Sequence, residues 1–141
     1  MLQLLVPVDG SEASLKGIDH LVATSGIYRD TPGIHLVNVQ APLPSDVTRF
    51  ISRDEVRNYH LEEGAKELEA AKAKLDAAGL KYVFHIDIGD TAETIARYAR
   101  DHRIDQIILG TRGLGAMAGM LLGSVATKIV RESPAPVLLV R

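Results

Sequence analysis

The chain is 141 residues long, 46% hydrophobic and 24% charged, the profile of one soluble globular domain with enough length for a single core. Its formal net charge is −2 and no stretch is densely basic, which argues against a nucleic-acid partner. It holds no cysteine, so disulfides, thiol catalysis and thiolate metal sites are excluded.

Leu2 to Val8 is a nearly continuous apolar run that stops at Asp9-Gly10, the mark of a buried strand ended by a turn. It starts without the layout of a secretory signal, and no apolar run nears the roughly 18 residues of a membrane span. A cytoplasmic domain with no membrane contact is expected. Ser11 is placed to cap a helix carrying Leu15, Ile18 and Val22, which Gly26 is expected to close. A second strand reads from Ile34 to Val39, with Ile34 and Leu36, then Val37 and Val39, as inward candidates. Pro42, Pro44 and a polar stretch to about Arg53 read as a loop.

From Asp54 a long helix aligns Leu61, Ala65, Leu68, Ala71, Leu75 and Ala78 on one expected face, and Gly79 ends it. Tyr82 to Ile88 is a third strand. Asp90, with Glu93 three residues on, opens a helix whose stripe is Ile95, Tyr98, Ala99 and His102. Asp105 to Gly110 is a fourth strand, Ser124 to Glu132 a helix, and Val137 to Val140 the last strand. Strands alternating with helices predict one α/β domain over residues 1–141, a doubly wound parallel sheet with helices on both faces.

Between the fourth strand and the last helix, Gly110 to Gly123 contains five glycines at 110, 113, 115, 119 and 123. Glycine costs roughly 1 kcal/mol against alanine inside a helix, so the run needs another reason. One reading is a tight strand-to-helix connection. The other is close approach of a phosphate. In open α/β sheets ligands bind beyond the carboxyl ends of the strands, where the winding reverses, and Asp9 and Gly110 both close strands there. The helix starting at Ser124 would offer unpaired N–H groups and a positive dipole end, with Ser124, Thr127 and Arg112 as further donors. A Walker A loop is absent, since no lysine follows a glycine at the required spacing. Gly113 to Ala118 matches G-x-G-x-x-A, but the acidic residue that a dinucleotide fold needs is missing from the next strand end; Glu132 falls in the helix.

Gly110-Thr-Arg-Gly113, nine residues, then Gly123-Ser124 resembles the G-x2-G-x9-G-[ST] signature of nucleotide-binding universal stress proteins, the UspA family. The opening LLVPVDGSEAS and the closing SPAPVLLVR resemble that family's two ends, so the likeness runs the length of the chain. It implies a five-stranded parallel sheet of order 3-2-1-4-5 and a bound adenine nucleotide: ATP, or ADP or AMP, with Mg carried by the phosphates. By position, Pro7, Val8, Asp9 and Val39 would contact adenine or ribose, and Gly110, Arg112 and Gly113 the ribose and first phosphate. Gly123, Ser124 and Val125 would bind the outer phosphates. Ala126 departs from the family's usual Thr or Ser.

Each residue also has a plainer role. Asp9 suits a turn acceptor, Ser124 a helix cap and Val39 the core. The five histidines show neither metal-ligand spacing nor a nucleophile pattern, so no catalytic residue is assigned. Glu62–Lys66 reads as a solvated helical pair. The apolar strand Val137 to Val140 would be a sheet edge, and the resemblance implies a homodimer through it. The leading expectation is an ATP-binding regulatory dimer of the stress response with an unknown protein partner. The rivals are a slow ATPase or autophosphorylating protein, and an interaction module with an empty crevice.

Overall fold

A computed structural model of the chain describes residues 1–111 and 122–141. Five strands, β1 (Gln3–Pro7), β2 (Gly33–Gln40), β3 (Val83–Ile88), β4 (Gln106–Gly110) and β5 (Val137–Val140), form one sheet. All pairings are parallel and the order is β3-β2-β1-β4-β5. Helices α1 (Glu12–Thr24) and α3 (Arg53–Ala77) cover one face; α4 (Thr91–Asp101) and α5 (Ser124–Glu132) cover the other.

The unbroken apolar runs follow from this layering. In β1, Leu4 and Val6 enter the α1/α3 core while Leu5 enters the α4/α5 core, so these three consecutive positions must all be apolar. β4 divides in the same way, with Ile108 on one side and Ile107 and Leu109 on the other. Side chains fix the helix starts: Ser11 accepts from the Ser14 N–H, Ser52 from Glu55 and Asp90 from Glu93, each at 3.1 Å. Gly79, at φ +70°, closes α3 with the Leu80 N–H bonded to the Leu75 carbonyl, a Schellman end.

The structure departs from the sequence expectations at several places. The α3 face is rotated: its buried line is His60, Gly64, Leu68, Ala71 and Leu75, while Leu61, Ala65 and Ala78 point outward. Gly64 is the cause, because a Cβ there would meet Ile86 at 2.7 Å; its bareness lets the helix lie close to β3. Gly26 does not cap α1. The helix stops at Thr24 and tightens into a 3₁₀ turn, Ser25–Ile27, that contains it. The stretch read as a loop holds a short helix, α2 (Ser45–Thr48). His102 is the exposed C-cap of α4 and not part of its buried stripe. Lys66 pairs with Glu63, at 3.2 Å, one residue nearer than expected.

Candidate functional site

The sheet opens at the carboxyl end of β1. Pairing of β1 with β4 is confined to Leu4↔Gln106 and Leu5↔Ile107, although β4 continues to Gly110 alongside β5. On the other side, pairing with β2 ends at Pro7↔Val37, with a last bond from the Val8 N–H to the Val37 carbonyl at 2.9 Å. This parting falls at the winding reversal, where α/β sheets bind ligands.

A cavity of about 200 Å³ occupies the opening. Pro7, Val8 and Asp9 form one side, and Val37 and Val39 of β2 form its floor. The facing wall is Thr91 and Ile95 of α4 with Val125 of α5. The structure thus brings together five of the sequence-nominated residues: Pro7, Val8, Asp9, Val39 and Val125. Val37, Thr91 and Ile95 were missed: Val37 reads only as an inward strand residue, and nothing in the spacing of the other two says that the α4 start leans over the end of β1.

Asp9 has the turn role weighed for it. Its Oδ1 accepts from the Ser11 N–H at 2.9 Å and the Ser11 hydroxyl at 2.5 Å, which orients Ser11 to cap α1. Gly10 follows at φ +83°, where the chain turns into the helix. Gly110 has a packing reason to be bare: a Cβ there would collide with the backbone carbonyl of Ala13 in the first turn of α1. Arg112 and Gly113, with Gly115 and Gly119, lie outside the described residues.

At the α5 start the expectation needs correcting. Ser124 is the first helical residue and exposed; the cap position belongs to Gly123, whose backbone is extended at φ −67°, ψ 162°. Glycine has no side chain to cap with, so among the described residues α5 lacks the side-chain cap that α1, α3 and α4 each have. Thr127 is not a free donor toward this end, since its hydroxyl donates to the Gly123 carbonyl at 2.8 Å. Val125, in the first turn of α5, lines the cavity, and among the described residues no side chain caps this helix start.

Asp90 and Lys128 join the α4 start to α5 at 3.3 Å. The Glu93 N–H, and then Lys128, hold the Asp90 carboxyl below its usual range, and Asp90 raises Lys128 in return. A larger cleft of about 720 Å³ lies at the amino ends of the strands, along Gln3, Gly33, Gly79 and Val83. It borders the C-terminus of α3, the dipole end that disfavours anions. Among the described residues, no helix is long and apolar enough to cross a membrane.

A sequence model of the universal stress protein family matches residues 1–141. The chain is 32% identical to universal stress protein YxiE of Bacillus subtilis, over 99% of this chain and 98% of the relative. Its structure resembles that of MJ0577 of Methanocaldococcus jannaschii with a TM-score of 0.80 at 30% identity, covering 98% of this chain and 94% of the other. It also resembles a universal stress protein family protein from Arabidopsis thaliana solved with AMP bound, with a TM-score of 0.66 at 19% identity, covering 99% and 91% of the two chains. Sequence match, strand order and coverage agree, and the chain belongs to the universal stress protein family.

Proposed function

We propose that this protein binds an adenine nucleotide at the parting of β1 from β4 and acts as a regulatory dimer rather than a catalyst. The observation that carries the reading is the meeting, at Val125, of a cavity of mixed apolar and polar lining with a helix start that has no side-chain cap among the described residues. The cavity, about 200 Å³, is below the roughly 300–1,000 Å³ of a pocket for a whole drug-sized ligand. It suits the base and ribose, held against Pro7, Val8, Asp9 and Val39. The phosphates then extend along Gly110 toward Gly123, Ser124 and Val125, where the first-turn N–H groups of α5 supply donors and dipole charge. Arg112 and Gly113 join the phosphate end in this reading. The AMP-bound Arabidopsis relative supports the ligand class. ATP is the proposed ligand, with Mg carried by phosphate oxygens.

Dimerisation is proposed through β5, which pairs on one side with β4 and leaves its other edge to a second copy; Leu139 is 41% exposed there. Leu139→Lys should give a monomer in sedimentation, and an unchanged sedimentation coefficient would contradict this interface. The nucleotide reading is tested by thermal unfolding with Mg-ATP, ADP, AMP, GTP and NAD in parallel. A ligand at about 100 times its Kd adds roughly 2.7 kcal/mol, a shift of several degrees. An adenine-nucleotide shift is expected, and its absence with every ligand would leave only the interaction-module role.

A further inference from the structure

The α3 face of β2 reads Ile34, Leu36, Asn38, Gln40, so an apolar series turns polar while still buried: Asn38 is 0% exposed and Gln40 9%. Polar groups taken from water need partners, and these find them in one another and in α3. The Asn38 side-chain amide donates to the Val8 carbonyl at 2.9 Å and to Glu67 Oε2 at 2.6 Å. The Gln40 amide donates to Asn38 Oδ1 at 2.8 Å and to the same Glu67 oxygen at 3.0 Å. Glu67 also packs on the turn itself, since a Cβ on Gly10 would lie 3.1 Å from its Cγ.

The cluster stands where β1 leaves β2. Paired positions end at Pro7↔Val37, and the Val8 carbonyl is held by a side chain of β2. A leucine at position 38 would extend the apolar face but would leave that carbonyl without this donor. The chain instead places three polar side chains beneath the residues that line the cavity.

We propose that Asn38, Gln40 and Glu67 are positioning residues that hold the Val8–Gly10 turn in its nucleoside-receiving geometry. This rests on the nucleotide reading above and deepens it: α3, which does not line the cavity, sets the position of one cavity wall. Glu67 supplies the acceptor that orients both amides, Asn38 transmits that orientation to the Val8 carbonyl, and Gln40 fixes the rotamer of Asn38. The network bears on the base and ribose end, not on the α5 start.

The test compares Glu67→Ala and Glu67→Gln with wild type, titrating ATP and inorganic tripolyphosphate by calorimetry and recording the ligand-free melting temperature of each. Glu67→Ala should weaken ATP about tenfold, the scale of one buried hydrogen-bond acceptor lost. It should leave tripolyphosphate within about twofold. Glu67→Gln keeps an acceptor oxygen and the contact with Gly10, and should recover most of the ATP affinity. Equal losses for both ligands would reduce the network to general structural support and overturn the proposal, as would no loss of ATP affinity in Glu67→Ala. A wild-type protein that binds neither ligand would instead overturn the nucleotide reading, and this role with it.

Discussion

The two ends of β1 are finished in opposite ways. At the amino end the strand is tied to its neighbours: the Gln3 N–H donates to the Asp105 carboxylate at 2.7 Å, and the Asp105 N–H returns to the Gln3 carbonyl at 2.8 Å. The Gly33 N–H reaches the Leu2 carbonyl, and His35 bonds both the Gln3 side chain and the Tyr98 hydroxyl. At the carboxyl end the strand parts from both neighbours, one of the carbonyls beyond it is held by a side chain, and the start of α5 has no side-chain cap among the described residues. Backbone groups are normally paired in place, so the end that opens over a cavity is where the proposed nucleotide would complete the structure. The larger cleft at the closed end does not share these features.

The largest effect that would break this contrast is expected at Gly110. Gly110→Val drives a side chain into the Ala13 carbonyl, backbone that cannot swing aside. A loss of about 3 kcal/mol is expected in urea unfolding, the upper range for overpacking. A variant as stable as wild type would mean that α1 does not press on the open end. His60 is next: it is 2% exposed and both its ring nitrogens lack a hydrogen-bond partner among the described residues. His60→Leu should stabilise by about 1 kcal/mol, a rise of a few degrees in the melting temperature. A fall would show that the imidazole has a partner. Ser11→Ala should cost about 1 kcal/mol in the same assay, since it removes a cap that the Asp9 carboxylate orients.

The closed end should show its character in pH. Burial, and then His102, lower the His35 pKa from 6.5, so the folded protein favours the neutral ring. In that form Nε2–H donates to Gln3 Oε1 and Nδ1 accepts from the Tyr98 hydroxyl. Because the folded pKa lies below the unfolded one, this stabilisation is complete above about pH 6.5 and declines as the pH falls below it. Melting temperatures from pH 7.5 to 5 should fall in wild type and fall less in His35→Gln. Parallel curves would remove His35 from the account.

Much of this was legible in the sequence, for reasons that also explain the rest. The runs of β1 and β4 could be read because burial on both faces forbids polar letters. The phase of α3 could not, because its core-facing line begins with His60 and Gly64, while Leu61 and Ala65 offered a convincing wrong stripe. Asp9 could be placed at the opening from the winding reversal, whereas Pro7, Val8, Val39 and Val125 came with the family resemblance; all five line the cavity. Thr91 and Ile95 depend on the lean of α4, a tertiary fact. Asn38 and Gln40 did carry a signal, the break in an alternating apolar face, but it is plain only once that face is known to be buried.

The most direct test of the central claim uses Ser124→Glu. Position 124 is exposed in the first turn of α5, where a carboxylate suits the helix dipole by about 0.5 kcal/mol and repels a phosphate. Calorimetric titration of Mg-ATP into wild type and Ser124→Glu should give saturable binding in the first and a loss of at least about tenfold in the second, with no drop in ligand-free stability. Equal ATP affinity in the two proteins would contradict the placement of the phosphates at the open end of the sheet.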